Sequence, residues 1–314
     1  MAYSVRHITT FRYEPAVSES VMEVRMQPRT DMRQRSHAFT LEISPRANVM
    51  VYRDFFGNAV HHFDIPGRYK VIEVAAQAVV EVLMPPSLTG AKTDWTELDS
   101  RVSEGDYWEM LLPSRFAQPT EALEQLAAEL NLRRRESPLG LLQELNLALY
   151  EKFDYAPNTT RVDSPIDDAL RTRQGVCQDF AHIMIALVRQ LRIPCRYVSG
   201  YLFHGDKDKD RSPAGATHAW LEAYLGEIGW VAFDPTNNLM GSERHVRVAV
   251  GRDYADVPPT RGVYKGEAES ELSVRVIVLP VDTPEPETLP PPMTIHSKRM
   301  DAAVTAAAEQ QQQQ

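Results

Sequence analysis

Residues 174–182 read Gln-Gly-Val-Cys-Gln-Asp-Phe-Ala-His, and they place a cysteine where a loop passes into a helix. The apolar residues that follow have the spacing of an inward-packing amphipathic helix, namely Phe180, Ala181, Met184, Leu187, Val188 and Leu191. Gly175 allows a sharp turn into this helix, which ends before Pro194. The first turn of a helix has unpaired N–H groups that stabilise a thiolate, so Cys177 is a candidate nucleophile. The alternative is a small buried apolar residue, which lone cysteines more often are.

An imidazole and a carboxylate follow this cysteine along the chain. His218 lies in the stretch Thr-His-Ala-Trp-Leu-Glu at residues 217–222, and Asp234 lies in Gly-Trp-Val-Ala-Phe-Asp-Pro-Thr at residues 229–236. A nucleophilic thiol needs a base that takes its proton, and the base needs a third group that sets its tautomer and orientation. All three residue types are present, in the order thiol, imidazole, carboxylate.

The chain resembles the transglutaminase-like superfamily of papain-type cysteine enzymes, in its bacterial branch of proposed cysteine proteases. The motifs that carry the resemblance are GVCQDFAH at 175–182, THAW at 217–220 and GWVAFDPTNN at 229–238. The resemblance implies that Cys177 is the nucleophile, His218 the base and Asp234 the carboxylate that orients the base. Three motifs in the right order make this a specific signal.

A β-rich pattern precedes these motifs. Residues 1–105 alternate polar and apolar side chains with the two-residue period of half-buried strands, and prolines and glycines separate the runs. Residues 3–10 and 53–58 also resemble the β-rich N-terminal domain of the same bacterial proteins, so the resemblance covers most of residues 1–280. We therefore predict an antiparallel, sandwich-like β module at residues 1–105.

We predict that the catalytic core occupies residues 106–282, because prolines and glycines interrupt the periodicity at about residues 83–118. Strands are expected after the cysteine helix at 195–203, 218–225, 230–234, 245–250 and 272–278. The last two are expected to complete an antiparallel sheet packed on that helix. The predicted fold class is α+β, a β-sandwich-like module followed by a transglutaminase- or papain-like core. Residues 283–314 are rich in proline, alanine and glutamine and are predicted to be disordered.

Composition limits the partners and the compartment. The 314 residues are 43% hydrophobic and 25% charged, as in an ordinary globular protein. A formal net charge of −9 disfavours nucleic acid and anionic membrane surfaces as partners. The two cysteines, Cys177 and Cys195, indicate neither a disulfide framework nor a cysteine-based metal site, and residues 1–7 do not begin a secretion signal. We expect a cytoplasmic protein with a protein or peptide substrate and leave its oligomeric state open.

Three further residues are candidates for the cleft. Tyr155 lies upstream of the nucleophile, where the resemblance implies a donor facing the acyl oxygen, although a packed surface tyrosine is the alternative. Gln178 can bond first-turn N–H groups or line the cleft, and Trp220 is a cleft candidate beside His218. Cys195 begins a predicted strand, so we expect it to be inert.

Other clusters could suggest different chemistry, and each has a simpler interpretation. His182 is a rival base, but five residues along a helix place it on a different face from Cys177, so we expect it to pack or cap. Alternating aspartates at 206–210 (Asp206, Asp208 and Asp210) suggest a calcium loop, but the later glycine and closing glutamate are missing. Adjacent histidines at 61–62 would point to opposite faces of a strand.

The strand pair that carries the base and its partner has a testable register. A three-residue turn at 226–228 would place Asp234 opposite Trp220, on the face that also holds His218. A two-residue turn would place Asp234 on the other face. A triad therefore requires an odd-length turn or a bulge.

These observations predict an acyl-transfer enzyme. Cys177 would attack an amide or peptide carbonyl and form a thioester, with no cofactor and no metal. We expect hydrolysis by water, on the resemblance to the bacterial branch. Transfer from glutamine to an amine is the first alternative. A non-catalytic interaction module of the same fold is the second, and the intact triad argues against it.

Overall fold

Two main sheets and a buried helix organise the computed structural model, which describes residues 1–84, 88, 90–205 and 207–282. The strands are β1 (Ala2–Val24), β2 (Gln34–Ser44), β3 (Val49–Arg53), β4 (Ala59–Val82), β5 (Asp154–Tyr155), β6 (Gln174–Gly175), β7 (Cys195–Leu202), β8 (His218–Tyr224), β9 (Trp230–Asp234), β10 (Leu239–Met240), β11 (His245–Gly251), β12 (Thr260–Lys265) and β13 (Glu269–Val281). The helices are α1 (Trp95–Glu104), α2 (Trp108–Leu111), α3 (Glu121–Glu129), α4 (Pro138–Lys152), α5 (Ile166–Thr172) and α6 (Cys177–Gln190), with 3₁₀ turns at Gly226–Ile228 and Tyr254–Asp256. The predicted disordered tail, residues 283–314, lies outside the described residues.

The first sheet is built on two long antiparallel strands, β1 and β4, in the order β12-β1-β4-β2, with β13 also paired to β1 and β3 to β4. The pairing shifts register between Arg12 and Val17, and such a bulge bends a strand. Met22, beyond the bulge, therefore shares one apolar cluster with Ile72 and Val74, which pair with the earlier half of β1. The alternation in this region thus produces strands β1 to β4, which share an apolar core, whereas residues 95–104 form helix α1.

One expectation about the last strands is wrong. We expected residues 272–278 to complete the sheet of the catalytic core, but β13 pairs with β1, from Ala2 opposite Val281 to Glu14 opposite Glu269. Alternation predicts a strand but does not say which sheet edge it joins. β1 presents a long edge whose N–H and C=O groups need partners; β13 pairs with its first part and β12 with its last part, Ser18 to Val24. Residues 245–250 do join the catalytic sheet, as β11.

The predicted catalytic core has a helix packed on an antiparallel sheet with the strand order β10-β9-β8-β7-β11, which confirms the α+β class. Ala219, Leu221 and Ala223 of β8 face α6 and share its apolar cluster. Residues 178–189 of α6 are all buried, whereas the periodicity predicted one buried face. The other side of the helix is buried because helices α3, α4 and α5 cover it. Among the described residues, no helix is long and apolar enough to cross a membrane.

Candidate active site

Cys177 begins α6 and is partly exposed. The Asp179 carboxylate holds this helix end in place, since its Oδ2 accepts from the Val176 amide at 2.8 Å and from the Thr160 hydroxyl at 2.6 Å. A Cβ on Gly175 would lie 2.8 Å from that carboxylate oxygen. Glycine is therefore required here by the close approach of Asp179, rather than by a left-handed backbone.

Two backbone amides at the start of α6 lie ahead of its hydrogen-bonded ladder. The first ladder bonds are donated by Asp179 and Phe180 to the Val176 carbonyl, at 2.9 Å and 3.2 Å. The amides of Cys177 and Gln178 precede them, at the end of the helix that carries partial positive charge. This end of α6 can therefore stabilise negative charge, either on the thiolate or on an oxygen beside it.

The turn between β8 and β9 has the predicted odd length. A 3₁₀ turn spans Gly226–Ile228, and the Leu225 amide donates to the Gly229 carbonyl at 2.9 Å. Both bounding glycines have positive φ, 62° at Gly226 and 74° at Gly229, which larger residues rarely adopt. Pairing of Leu221 with Phe233 then places Asp234 on the same face as His218, which confirms the predicted register.

His218 and Asp234 form a buried hydrogen-bonded pair. The ring Nε2 lies 2.8 Å from Asp234 Oδ2, and the two residues are 3% and 1% exposed. The Asp234 carboxylate also accepts from the Asn237 side chain at 2.9 Å and from the amides of Thr236 and Asn237 at 3.1 Å and 3.3 Å. Within the described chain the other ring nitrogen, Nδ1, has no hydrogen bond of good geometry, and Cys177 adjoins the same ring.

The electrostatics favour a charged imidazole. Burial alone would lower the pKa of His218, but the Asp234 carboxylate and the adjacent Cys177 outweigh burial and hold that pKa well above its usual value. Burial would likewise raise the pKa of Asp234, but the His218 charge and its hydrogen bond hold it well below its usual range. The arrangement can therefore hold a proton on His218 beside the sulfur of Cys177.

His245 is part of the site but was missed by sequence reasoning. Its Nε2 lies 3.3 Å from Asp234 Oδ2, and its Nδ1 lies 3.0 Å from the Ser242 hydroxyl. The donor atoms of His218, Asp234 and His245 lie within 4.8 Å of one another, and these residue types can hold a transition metal. The hydrogen bonds from the two histidines to Asp234 already explain why these atoms lie close together. No local motif marked His245, whereas Asn237 follows Asp234 within the GWVAFDPTNN stretch.

The three other residues predicted to line the cleft, Tyr155, Gln178 and Trp220, have different surroundings. Tyr155 is half-buried, burial raises its pKa, and it pairs in β5 with Gly175 of β6, two residues before Cys177. The Gln178 side chain donates to the Val162 carbonyl at 2.9 Å and serves the neighbouring loop. Trp220 is fully buried and stacks on His218 with ring centroids 5.9 Å apart.

The rival clusters have structural explanations. His182 is buried, accepts from the Tyr254 amide at 3.2 Å and stacks on Phe116, so it packs as expected. Cys195 is fully buried in β7, where burial raises its pKa to about 12. In the aspartate-rich loop, Asp208 and Asp210 pair with Arg244 at 2.6 Å and 2.8 Å, and Asp206 lies outside the described residues. The histidines at 61–62 alternate between buried and half-buried along β4.

Two protein families match this chain. Residues 124–235 match the transglutaminase-like superfamily, and residues 3–81 match the bacterial transglutaminase-like N-terminal region. The first match includes Cys177, His218 and Asp234, whereas His245 lies outside it.

Individual proteins are similar to this chain over different shares of its length. An uncharacterized protein of Mycobacterium leprae is 34% identical over 275 residues, which are 87% of this chain and 96% of that protein. A protein-glutamine gamma-glutamyltransferase of Pseudomonas aeruginosa is 32% identical over 142 residues, which are 40% of this chain and 20% of that protein. A solved structure from Cytophaga hutchinsonii, of a proposed cysteine protease, has a TM-score of 0.70 at 23% identity, covering 90% of this chain and 92% of that one. This last similarity shows a common fold.

Proposed function

The chain belongs to the transglutaminase-like superfamily, and from this premise we propose that it is a cysteine-dependent hydrolase of amide or peptide bonds. The observation that carries the proposal is the buried His218–Asp234 pair, with Cys177 beside the same imidazole at the start of a helix. This is the arrangement of a thiol nucleophile, its base and the group that orients the base.

In the first half of the reaction, the Cys177 thiolate attacks the carbonyl carbon of the substrate, and the carbonyl oxygen becomes an oxyanion. The backbone amides of Cys177 and Gln178 at the start of α6 are candidate hydrogen-bond donors to that oxygen, and the Tyr155 hydroxyl is a further candidate. The imidazolium of His218 then gives its proton to the leaving nitrogen. The carbon–nitrogen bond breaks, an amine or ammonia leaves, and a thioester remains on Cys177.

In the second half, neutral His218 takes a proton from water, and the resulting hydroxide attacks the thioester. The carbon–sulfur bond breaks, the acid is released, and the thiolate–imidazolium pair is restored. Asp234 keeps the Nε2 side of the ring bonded throughout, so that Nδ1 faces the thiol and the acceptor.

Transfer to an amine is a second candidate, in which a primary amine replaces water in the second half. This candidate is favoured by the similarity to the protein-glutamine gamma-glutamyltransferase of Pseudomonas aeruginosa, a similarity that covers 20% of that protein. We propose a protein or peptide as the substrate in both cases, without a nucleic-acid or membrane partner. We also propose the cytoplasm as the compartment, which the two free thiols support.

The test is incubation of the full chain with glutamine-containing peptides, with and without a primary amine, followed by mass spectrometry. Hydrolysis would replace ammonia by water in the product or cleave the peptide, whereas transfer would add the amine. Cys177→Ala should abolish either reaction, because no other group near the helix start can form the thioester.

Cys195→Ala is the matched control, since it removes the other thiol, which is buried in a strand. It should keep its turnover once folding is verified by circular dichroism. Turnover that persists in folded Cys177→Ala would refute the mechanism. Absence of any Cys177-dependent product over a broad peptide library would favour the non-catalytic module.

A further inference from the structure

A cavity of about 430 Å³ lies against the face of the catalytic sheet that points away from α6. Trp220, Glu222 and Ala232 of the sheet form one wall, and Arg33, Val82 and Leu83 of the N-terminal region form the other. The volume is within the roughly 300–1,000 Å³ that small-molecule sites occupy. His245 and Ser242 line this cavity, whereas Cys177 does not.

The charges around the cavity are unusual for an acidic protein. Apart from His245, the titratable side chains that line the cavity are Arg33, Arg247 and Glu222. Two arginines thus face one carboxylate, which leaves an excess of one positive charge in a chain whose formal net charge is −9. Clusters of this kind attract anions into the cleft that they line.

Arg33 is the member of this cluster that best fits a ligand. Glu222 is already paired with Arg196 at 2.6 Å and with Arg247 at 3.4 Å, and Arg247 pairs with Asp31 at 2.6 Å. Arg33 donates to the backbone carbonyls of Trp230 and Ile228, and within the described chain no carboxylate pairs with it. Burial lowers the pKa of Arg33, and the nearby Glu222 carboxylate offsets part of this effect. A carboxylate from outside would supply the missing counter-charge.

The rest of the lining includes side chains that fit an apolar body. Leu83 and Met240 are partly exposed, beside the buried Val82. Trp220 contributes its indole ring to the same wall, although the residue is 0% exposed and its indole N–H is fully buried.

We propose that this cavity is a binding site for a small carboxylate with an apolar body. The carboxylate pairs with Arg33, and the apolar body packs against Val82, Leu83 and Met240. The site is separate from the thiol chemistry of Cys177, and it adjoins the triad through His245, which both lines the cavity and bonds Asp234.

The test uses octanoate as the probe and octanamide as its neutral counterpart, with binding to the full chain measured by isothermal titration calorimetry at low salt. Octanoate should bind at least about tenfold more tightly than octanamide, because only the anion supplies the counter-charge of Arg33. Arg33→Met should remove this preference. Arg171→Met is the matched control, since it removes an exposed arginine on α5 that pairs with Asp168.

A second pair of variants keeps the test decisive if Arg33→Met does not fold. Met240→Glu places a negative charge in the cavity, whereas Met240→Gln has nearly the same shape without the charge. Octanoate should bind Met240→Gln at least about tenfold more tightly than Met240→Glu. Equal affinities for octanoate and octanamide, equal octanoate affinities in the two Met240 variants, or no octanoate binding at millimolar concentration would overturn the proposal.

Discussion

The two faces of strand β8 differ in chemistry although they alternate along seven residues. Ala219, Leu221 and Ala223 point towards α6 and belong to the apolar core. His218, Trp220 and Glu222 point the other way, and each contacts a polar or charged group on another strand of the sheet. Both sets are buried, so burial alone does not distinguish them.

One strand can therefore contribute to stability with one face and to chemistry with the other. The α6 face excludes water and holds the helix that carries Cys177 in place. The opposite face buries charged groups, and such groups need partners to offset their loss of hydration. Substitutions on the two faces should therefore affect different measurements, folding on the α6 face and turnover on the other.

The largest effect is expected from Asp234→Asn. The amide can still accept from the Thr236 and Asn237 backbone, so the fold should persist, but it cannot balance the charge of His218 or select its tautomer. By analogy with other triads, turnover should fall by roughly 10⁴-fold. The measurement is kcat/KM with a cleaved peptide, beside a thermal melt. An Asn variant with undiminished turnover would remove Asp234 from the mechanism and break the division between the faces.

The second effect should appear in stability. Leu221→Ala removes a fully buried side chain from the α6 face and should lower the free energy of unfolding by about 2–5 kcal/mol. Urea denaturation measures this loss, and kcat should be unchanged at a temperature where the variant is folded. Val71→Ala in β4 is a control, because Val71 is 37% exposed and should lose much less. A large loss of kcat in fully folded Leu221→Ala would show that the faces are not separable.

The smallest effect is expected at His245. Its bond to Asp234 is one of five that the carboxylate accepts, so His245→Leu should lower kcat about tenfold and leave KM unchanged. His245→Gln retains an N–H donor and should recover most of the loss. If folded Leu and Gln variants are equally slow, the donor is not what matters. If both match the unsubstituted chain, Asn237 and the backbone suffice to hold Asp234.

Much of the site could be predicted because its parts are local. The cysteine, the histidine and the aspartate each lie in a short motif. Counting residues showed that His218 and Asp234 share a face only if the turn has an odd length or a strand is bulged, and the structure has the odd-length turn. Parity is a local property of extended chains, so it needs no tertiary information. The periodicity likewise predicted the helix that begins at Cys177. It did not predict that other elements would bury this helix on all sides.

The sequence by itself determined most of the strands and helices, the residue types of the proposed triad and the parity condition under which His218 and Asp234 share a face, because these depend on neighbours along the chain. Only the tertiary structure decided that β13 joins β1 rather than the catalytic sheet, that His245 reaches Asp234 and that Arg33 and Arg247 line one cavity with Glu222. The physical reason is that these contacts join segments far apart in the chain. Which distant edge or side chain meets another depends on how the whole molecule satisfies its buried polar groups and fills its core.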